Sequence, residues 1–389
     1  MKNLEEIPTV NLEKLPFALD RASAWEQLRE AGEVVNGQGE VILTGADAVE
    51  FAAKNPEVFS SARVAAERLA SPVPLIPIGI DPPDHTRFRR MLDPFFSPRR
   101  MAEREPELRR QVSELIDAIV TKGTCELMQD LAVPFPSQVF LSLFGLPLTD
   151  CDRLVTWTDA LMKLSNAGNA EPAPEAYGHA LELFTYLTEH IAERRDNPGQ
   201  GADLLTQLIS DGTLTNDEVL GICFITVLAG LDTVTSTIGF AIARLAADYD
   251  MQQRIRSDPG LIPAFIEEVL RLDAAIPFVV RITNDDIDVA GVMVPKDTVV
   301  MLSVGSAGRD PRRFDDADEI KMGERETHFA FGRGPHRCLG SHLARMELRI
   351  VLEEWHKRIP HYALAAGEQP QVLWPRGIIA YDTVHLDIG

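Results

Sequence analysis

The densest chemistry in this 389-residue sequence is one run, His328-Phe329-Ala330-Phe331-Gly332-Arg333-Gly334-Pro335-His336-Arg337-Cys338-Leu339-Gly340. Two glycines and a proline hold an apolar-flanked cysteine in a tight loop just ahead of a helical pattern. Amides in such a loop point at the sulfur and a helix N-terminus favours an anion, so Cys338 is expected as a thiolate. Glycines beside it let a flat ligand approach the backbone closely. A thiolate held this way can serve as an axial ligand that donates electron density to haem iron and favours O–O cleavage. An inert buried thiol is one alternative, and a zinc site from His336, Cys338 and His342 is another. The alternation His-Arg-Cys is a poor tetrahedral arrangement, and no second cysteine pair supports zinc.

Three further constellations carry spacings that matter. Glu268 and Arg271 in Glu268-Val269-Leu270-Arg271 share one helix face, where an exposed pair contributes only a few tenths of a kcal/mol. His85 and Arg89 are i and i+4 at a helix start, projecting from one face, which on its own also describes a solvated basic surface. In Ala229-Gly230-Leu231-Asp232-Thr233 the glycine weakens a helix, and the threonine can bond back to a preceding carbonyl. An acid followed by an alcohol supplies a proton path, with Thr233 exchanging hydrogen bonds and Asp232 relaying protons from solvent. A capped kink in a core helix reads equally well from spacing alone.

Taken together these residues resemble a known family. Phe331-Gly-x-Gly334-x-His336-x-Cys338-x-Gly340 is similar to the cysteine-loop signature of the cytochrome P450 family, the haem-thiolate monooxygenases, and the other motifs follow in that family's order. The resemblance implies haem b with Cys338 as its axial iron ligand and Phe331 and Gly340 beside it. It implies that His85, Arg89, Arg281 and His336 contact the haem propionates, through charge-assisted bonds. It implies that Glu268 and Arg271 form a buried pair, completed by Arg325 or His328. It also implies that Ala229–Thr233 crosses the distal face on a locally opened helix, with Asp232 and Thr233 catalytic. Gly308 stands where the family usually has Asn before Arg309-Asp310-Pro311. Within the family the chain looks most like soluble bacterial members that oxidise terpenoids such as camphor.

The elements that must position these residues are mostly helices. Helical periodicity marks Ala22–Ala31, Ala46–Lys54, Pro83–Phe95, Glu103–Thr121, Val133–Phe144, Asp150–Leu164, Ala173–Arg195, Pro263–Leu272 and Ser341–Arg358. Thr215 and Glu218 have capping-box spacing and open a long apolar helix running past Asp232. Asp232 in its middle argues against a membrane span. Strand-like runs are Glu40–Leu43, Ile287–Val289, Thr298–Ser303 and Val384–Ile388. The expected fold is mainly α with small β-sheets, the haem lying between the long central helix and the cysteine loop. Residues 1–389 are read as a single catalytic domain without a fused reductase.

Composition narrows the partners. With 38 Lys+Arg against 59 Asp+Glu the formal charge is -21, which disfavours nucleic acid or an anionic bilayer as a general partner. Four scattered cysteines without a CxxC pair fit a reducing compartment. The N-terminus lacks a signal-peptide pattern, so no membrane anchor and a cytoplasmic location are expected.

The leading function is oxygen activation and insertion of one oxygen atom into an apolar substrate, O2 being the co-substrate. A peroxygenase using hydrogen peroxide and a haem-thiolate sensor are the rivals, and the acid–alcohol pair counts against both. By resemblance Ile225, Leu228, Ala229, Phe278, Val279, Ile378 and Ile379 wall the distal pocket. None is ionisable, so a neutral hydrophobic small molecule, terpenoid- or steroid-like, is expected. Arg63, Arg68 and Arg376 could still meet an acid group from a mobile loop. No GxGxxG motif and no cluster-spaced cysteines occur, so electrons must come from a ferredoxin and its ferredoxin reductase. Arg333 and Arg337, with Arg99, Arg100, Arg109 and Arg110, suggest a basic docking face for that donor.

Overall fold

The computed structural model describes residues 2–69, 71, 73–165, 174–197, 201–210, 212–323 and 326–389. In chain order the first helices are α1 (Arg21–Ala31), α2 (Ala46–Lys54), the one-turn α3 (Ala62–Val64), α4 (Asp84–Leu92), α5 (Pro98–Lys122), α6 (Pro134–Phe144) and α7 (Cys151–Ser165). They are followed by α8 (Pro174–Asp196), α9 (Leu204–Ser210), α10 (Asn216–Ala247), α11 (Tyr249–Ser257), α12 (Ile262–Leu272), the short α13 (Val304–Ala307) and α14 (Ser341–Arg358). The strands are β1 (Val34–Asn36), β2 (Val41–Leu43), β3 (Phe59–Ser60), β4 (Cys125–Glu126), β5 (Phe278–Thr283), β6 (Ile287–Val289), β7 (Val292–Val294), β8 (Val299–Ser303), β9 (Tyr362–Leu364) and β10 (His385–Ile388). The mainly helical expectation holds.

The capping box at the head of α10 forms in full. The Glu218 N–H donates to Thr215 Oγ1 at 3.2 Å, and the Thr215 N–H donates to Glu218 Oε2 at 2.8 Å. Two of the expected helix ends move for reasons that lie in proline. Pro94 cannot donate to a continuing α-helix, so α4 stops at Leu92 and passes into a 3-10 turn, Asp93–Phe96. Pro98 takes the first position of α5, where its missing N–H costs nothing, and the helix therefore begins ahead of Glu103. Strand β5 was not among the expected strands, although Phe278–Thr283 is β-branched and aromatic enough to be one.

The largest sheet runs β1-β2-β8-β5-β3. β2 and β8 are parallel, whereas β5 is antiparallel to both its neighbours and places Arg281 opposite Val300. A second sheet orders β4-β10-β9, and β6 pairs with β7.

Helix α10 threads two apolar cores. Its first half, Val219 to Leu231, packs with α6, α7, α8 and the Leu75–Ile76 loop. Its second half, Val234 to Leu245, packs with α5, α12 and α14. The boundary between the two cores falls at Asp232 and Thr233. Although α10 is long and apolar enough to cross a membrane, it is the central buried helix of this fold.

Candidate functional site

The cysteine loop is closed by its own backbone. The Gly332 N–H donates to Phe329 O at 2.7 Å, and the Cys338 N–H donates to Phe331 O at 2.8 Å. Gly334 sits at φ +67°, and a Cβ there would come within 2.2 Å of the Ala53 carbonyl oxygen at the end of α2. Only glycine satisfies both demands. Arg89 and Arg345 clamp the loop from outside, and Arg333 folds back within it. Arg89 Nη1 donates to the Arg337 carbonyl at 2.6 Å, Arg345 lies 4.5 Å over the Phe331 ring, and Arg333 lies 4.6 Å over Phe329.

Cys338 faces open space just before α14. Surrounding protein nevertheless pushes its thiol pKa up, opposed by the Gly340 N–H and by the charges of Arg89, Arg345 and Arg337. Desolvation is the largest of these influences, and a bound metal cation would oppose it by favouring the thiolate. The zinc trio does not gather. His336 turns to His85, their ring centroids 4.2 Å apart, while His342 faces a surface groove of about 510 Å³ with Arg345 and Arg349.

His85, His336 and Arg281 form a cluster rich in donors and poor in acceptors. His85 Nε2 and both nitrogens of His336 are buried without a hydrogen-bond partner. Burial, reinforced by Arg281, His85 and Arg89, lowers the His336 pKa to about 3. Burial also lowers Arg281 to about 10, opposed only by Asp81. Asp81 is itself occupied, accepting from Ser60 Oγ at 2.5 Å and from the Ser61 N–H at 2.9 Å. Orphaned buried donors are expensive, so this cluster is built for anions that the chain itself does not supply. Two propionates next to a cysteine ligand match that deficit, and the residues present fit haem. Arg89 acts on both histidines and is itself engaged, its Nε donating to Asp93 at 2.9 Å.

Helix α10 is an unbroken α-helix through Ala229–Thr233, which corrects the expected local opening. Thr233 Oγ1 donates to Ala229 O at 3.0 Å, so the threonine caps the carbonyl without displacing the helix ladder. Gly230 is exposed in the middle of this otherwise buried helix, and a Cβ there would meet nothing within 4 Å. An open space therefore lies against α10 at the boundary of the two cores. Asp232 is half-buried beside it, and its pKa is raised to about 6 by burial and then by Asp159, with Arg376 opposing.

The expected pocket residues divide among different clusters. Ile225 and Leu228 pack with the first-half core of α10, and Ala229 is half-exposed beside Gly230. Phe278 meets Trp25 edge to face, with ring centroids 5.5 Å apart, and Val279 joins the sheet core. Ile378 is half-buried, but Ile379 is withdrawn into the main core at 2% exposure, its N–H on Ala275 O at 2.9 Å. Arg63 bridges Asp297 and Glu67, and Arg68 bridges Glu40. Both are thereby engaged by carboxylates of the chain.

Glu268 and Arg271 form a buried two-pronged pair at 2.9 Å on each prong. Arg271 also donates to the carbonyls of Gly308, Ala317 and Glu319, and the Lys321 N–H donates to Glu268 at 2.8 Å. The pair thus pins the chain that leads into the cysteine loop. A Cβ at Gly308 would lie 2.5 Å from the Arg271 carbonyl, which explains glycine at that position. His328 does not complete the pair. Its Nε2 lies 3.2 Å from Glu267, which Arg345 also holds at 2.6 and 2.8 Å. Arg325, the other candidate, falls outside the described residues.

The basic face is largely neutralised. Arg109 is held by Glu105, Glu353 and Glu354, Arg110 by Glu114, and Arg99 and Arg100 by Glu103. Arg337 has no ion pair among the described residues. Sequence reasoning missed Asp159 and Arg376 as neighbours of Asp232, since they sit on distant segments with no motif to mark them. It also missed Asp273, completely buried and paired with Arg21 at 2.6 Å and with Arg244.

A family model described as Cytochrome P450 matches residues 33–259 and 260–355. Cytochrome P450 107B1 of Saccharopolyspora erythraea is 31% identical, the alignment covering 93% of each chain. Vitamin D(3) 25-hydroxylase of Pseudonocardia autotrophica is 31% identical over 78% of this chain and 74% of its own. Among solved structures, CYP109E1 from Bacillus megaterium in complex with testosterone superposes with a TM-score of 0.85 at 26% identity, covering 95% of this chain and 98% of that one.

Proposed function

The chain belongs to the cytochrome P450 family of haem-thiolate monooxygenases, and we propose that it inserts one oxygen atom from O2 into a small-to-medium, neutral, terpenoid- or steroid-like molecule. The observation that carries the reading is the cluster of His85, His336 and Arg281 beside the Cys338 loop, whose buried donors lack anions. Relatives named as hydroxylases of vitamin D(3) and 6-deoxyerythronolide B support a hydrophobic substrate class. The electrons come from a separate ferredoxin and ferredoxin reductase in the cytoplasm, because the sequence carries no nicotinamide or cluster motif.

Haem b, when bound, supplies the iron at which dioxygen is reduced. The chain's own residues do the rest. Cys338 would ligate the iron. His85, His336 and Arg281 would hold the propionates as the missing anions of their cluster, with Arg89 holding the loop to α4. Thr233 can release its bond to Ala229 and turn its hydroxyl toward the open space against α10. Asp232, with a pKa near neutrality, takes protons from solvent and passes them to Thr233. Ile225 and Leu228 exclude water beside it.

The test is ligation and turnover together. Reduced protein with carbon monoxide should show the red-shifted Soret band of a thiolate-ligated haem, and Cys338→Ala should lose it. Retention of that band in Cys338→Ala would refute the assignment. Reconstitution with ferredoxin, reductase and a panel of terpenes and steroids then reads substrate class by Soret shift and product.

A further inference from the structure

The mechanism uses the middle of α10, but the same helix face carries an unexplained contact about three turns before Asp232. Gly221, Ile225, Leu228 and Asp232 follow one another at helical spacing, so they form one stripe. At Gly221 a Cβ would lie only 2.0 Å from the Pro74 carbonyl oxygen and 3.1 Å from its carbon. The loop backbone therefore rests directly on the helix, in the close Cα–H···O approach that only glycine allows. The loop is itself held tightly. Pro74 O accepts the Ile76 N–H at 3.0 Å and Leu75 O accepts the Gly79 N–H at 2.7 Å. A Cβ at Gly79 would fall 2.7 Å from the Ala65 Cβ, so the turn is wedged on its other side as well. Leu75 and Ile76, 4% and 1% exposed, share one apolar cluster with Phe224 and Ile225, and Leu228 packs against it.

We propose that Gly221 is a specificity-determining residue, which seats the Val73–Ile80 loop as a low roof over the apolar stripe ending at Asp232 and so limits the height of the ligands admitted. The inference rests on the reading that this stripe faces the substrate pocket. A side chain at position 221 has no rotamer that avoids a backbone carbonyl. Alanine is the better helix former, so α10 keeps its course and the loop must retreat. The roof rises while the haem side stays as it is.

The experiment compares Gly221→Ala with Gly178→Ala, a helical glycine on α8 whose Cβ would meet nothing within 4 Å. Ferric holoenzyme is titrated with imidazole and with the bulky azole clotrimazole, both read by the Soret shift. Hydrogen exchange is followed at Ile76 and Gly79. In Gly221→Ala, imidazole affinity should stay within about twofold, while the clotrimazole-to-imidazole affinity ratio should rise at least about fivefold. Exchange at Ile76 and Gly79 should quicken by about tenfold or more, with the α10 amides still protected. Gly178→Ala should show neither change. Should Gly221→Ala fail to hold haem, Pro74→Gly loosens the loop without touching α10 and should move both readouts the same way. An unchanged affinity ratio, or an unchanged exchange rate, overturns the proposal. A wild-type Soret band unmoved by imidazole would instead remove the haem reading beneath it, whereas the exchange arm would still report on the seat of the loop.

Discussion

At the scale of residues, the site is a set of groups whose ordinary partners are missing. Asp232 is desolvated by burial, the largest influence on its titration, and it sits between a like charge and an opposite one that adjust it. Asp159 holds the carboxyl pKa up and Arg376 holds it down, around a value of about 6. A relay group works best when its pKa lies near the working pH. The fraction of oxygen consumption that ends in product should therefore titrate near pH 6 in the wild type. Asp159→Asn removes the repelling charge and should move that midpoint down, whereas Arg376→Gln should move it up. Shifts of one sign in both variants would rule out this electrostatic account. Thr233→Ala should still consume reductant and oxygen but release hydrogen peroxide in place of product, and a fully coupled variant would remove Thr233 from the relay. The propionate cluster makes a second demand. Truncating one partner of a buried charged hydrogen bond costs about 2–5 kcal/mol, so Arg281→Gln should release haem to apomyoglobin well over tenfold faster than the exposed control Arg254→Gln. The cysteine and the acid–alcohol pair were legible because each lies within one short motif. Asp159 and Arg376 were not, because what places them is the packing of α7 and the closing hairpin, which no local pattern encodes.

At the scale of elements, periodicity carried the long helices well, since each buries one stripe and exposes another. It failed where short segments depend on partners. Strand β5 is a strand because β3 and β8 pair with it, and that pairing is what carries Arg281 into the histidine cluster. Helix α14 holds a feature invisible to periodicity alone. Glu347 occupies a core position, its Oε2 is buried without a hydrogen-bond partner, and burial raises its pKa well above 4.5. Below the unfolded-state pKa both states carry the proton and the group is neutral in effect. Above it the unfolded chain releases the proton while the folded chain keeps it, so stability falls as pH rises toward the folded pKa. Glu347→Gln removes that loss. Its advantage over wild type in urea unfolding should grow with pH, by up to about 1.4 kcal/mol per unit, and vanish near pH 4. A stability difference independent of pH would mean that Glu347 is ionised in the fold. The Glu268–Arg271 pair is the opposite case, fully engaged with carbonyls that lead into the cysteine loop. Arg271→Leu takes the guanidinium from the buried carboxylate, leaving it the Lys321 N–H, and should destabilise the fold by about 3–5 kcal/mol, read as a fall in holoenzyme yield and Tm.

At the scale of the whole molecule, charge decides how an electron donor finds the site. The chain carries a formal charge of -21, so any acidic donor is repelled over most approaches. Counting arginines near the cysteine loop suggested a broad basic face, but the fold spends most of those charges internally. Arg109 ties α5 to Glu353 and Glu354 of α14, and Arg349 ties back to Glu105, so this web fastens two helices together. What remains on the loop is Arg337, exposed and without an ion pair among the described residues, while its carbonyl is held by Arg89. Docking should then hinge on a few positions rather than on a diffuse field. Arg337→Glu should slow reduction by an acidic ferredoxin several-fold without changing substrate affinity. Arg110→Glu, where Glu114 already neutralises the charge, should change it far less. Added salt should slow the wild type, because steering weakens once charges are separated by more than about 10 Å at 0.1 M, and should have less effect on Arg337→Glu. Stopped-flow reduction of the ferric protein across a salt series measures all three. Equal slowing by the two charge reversals would place the attraction in the overall field, and a rate indifferent to Arg337 and to salt would put the donor on another face of the molecule.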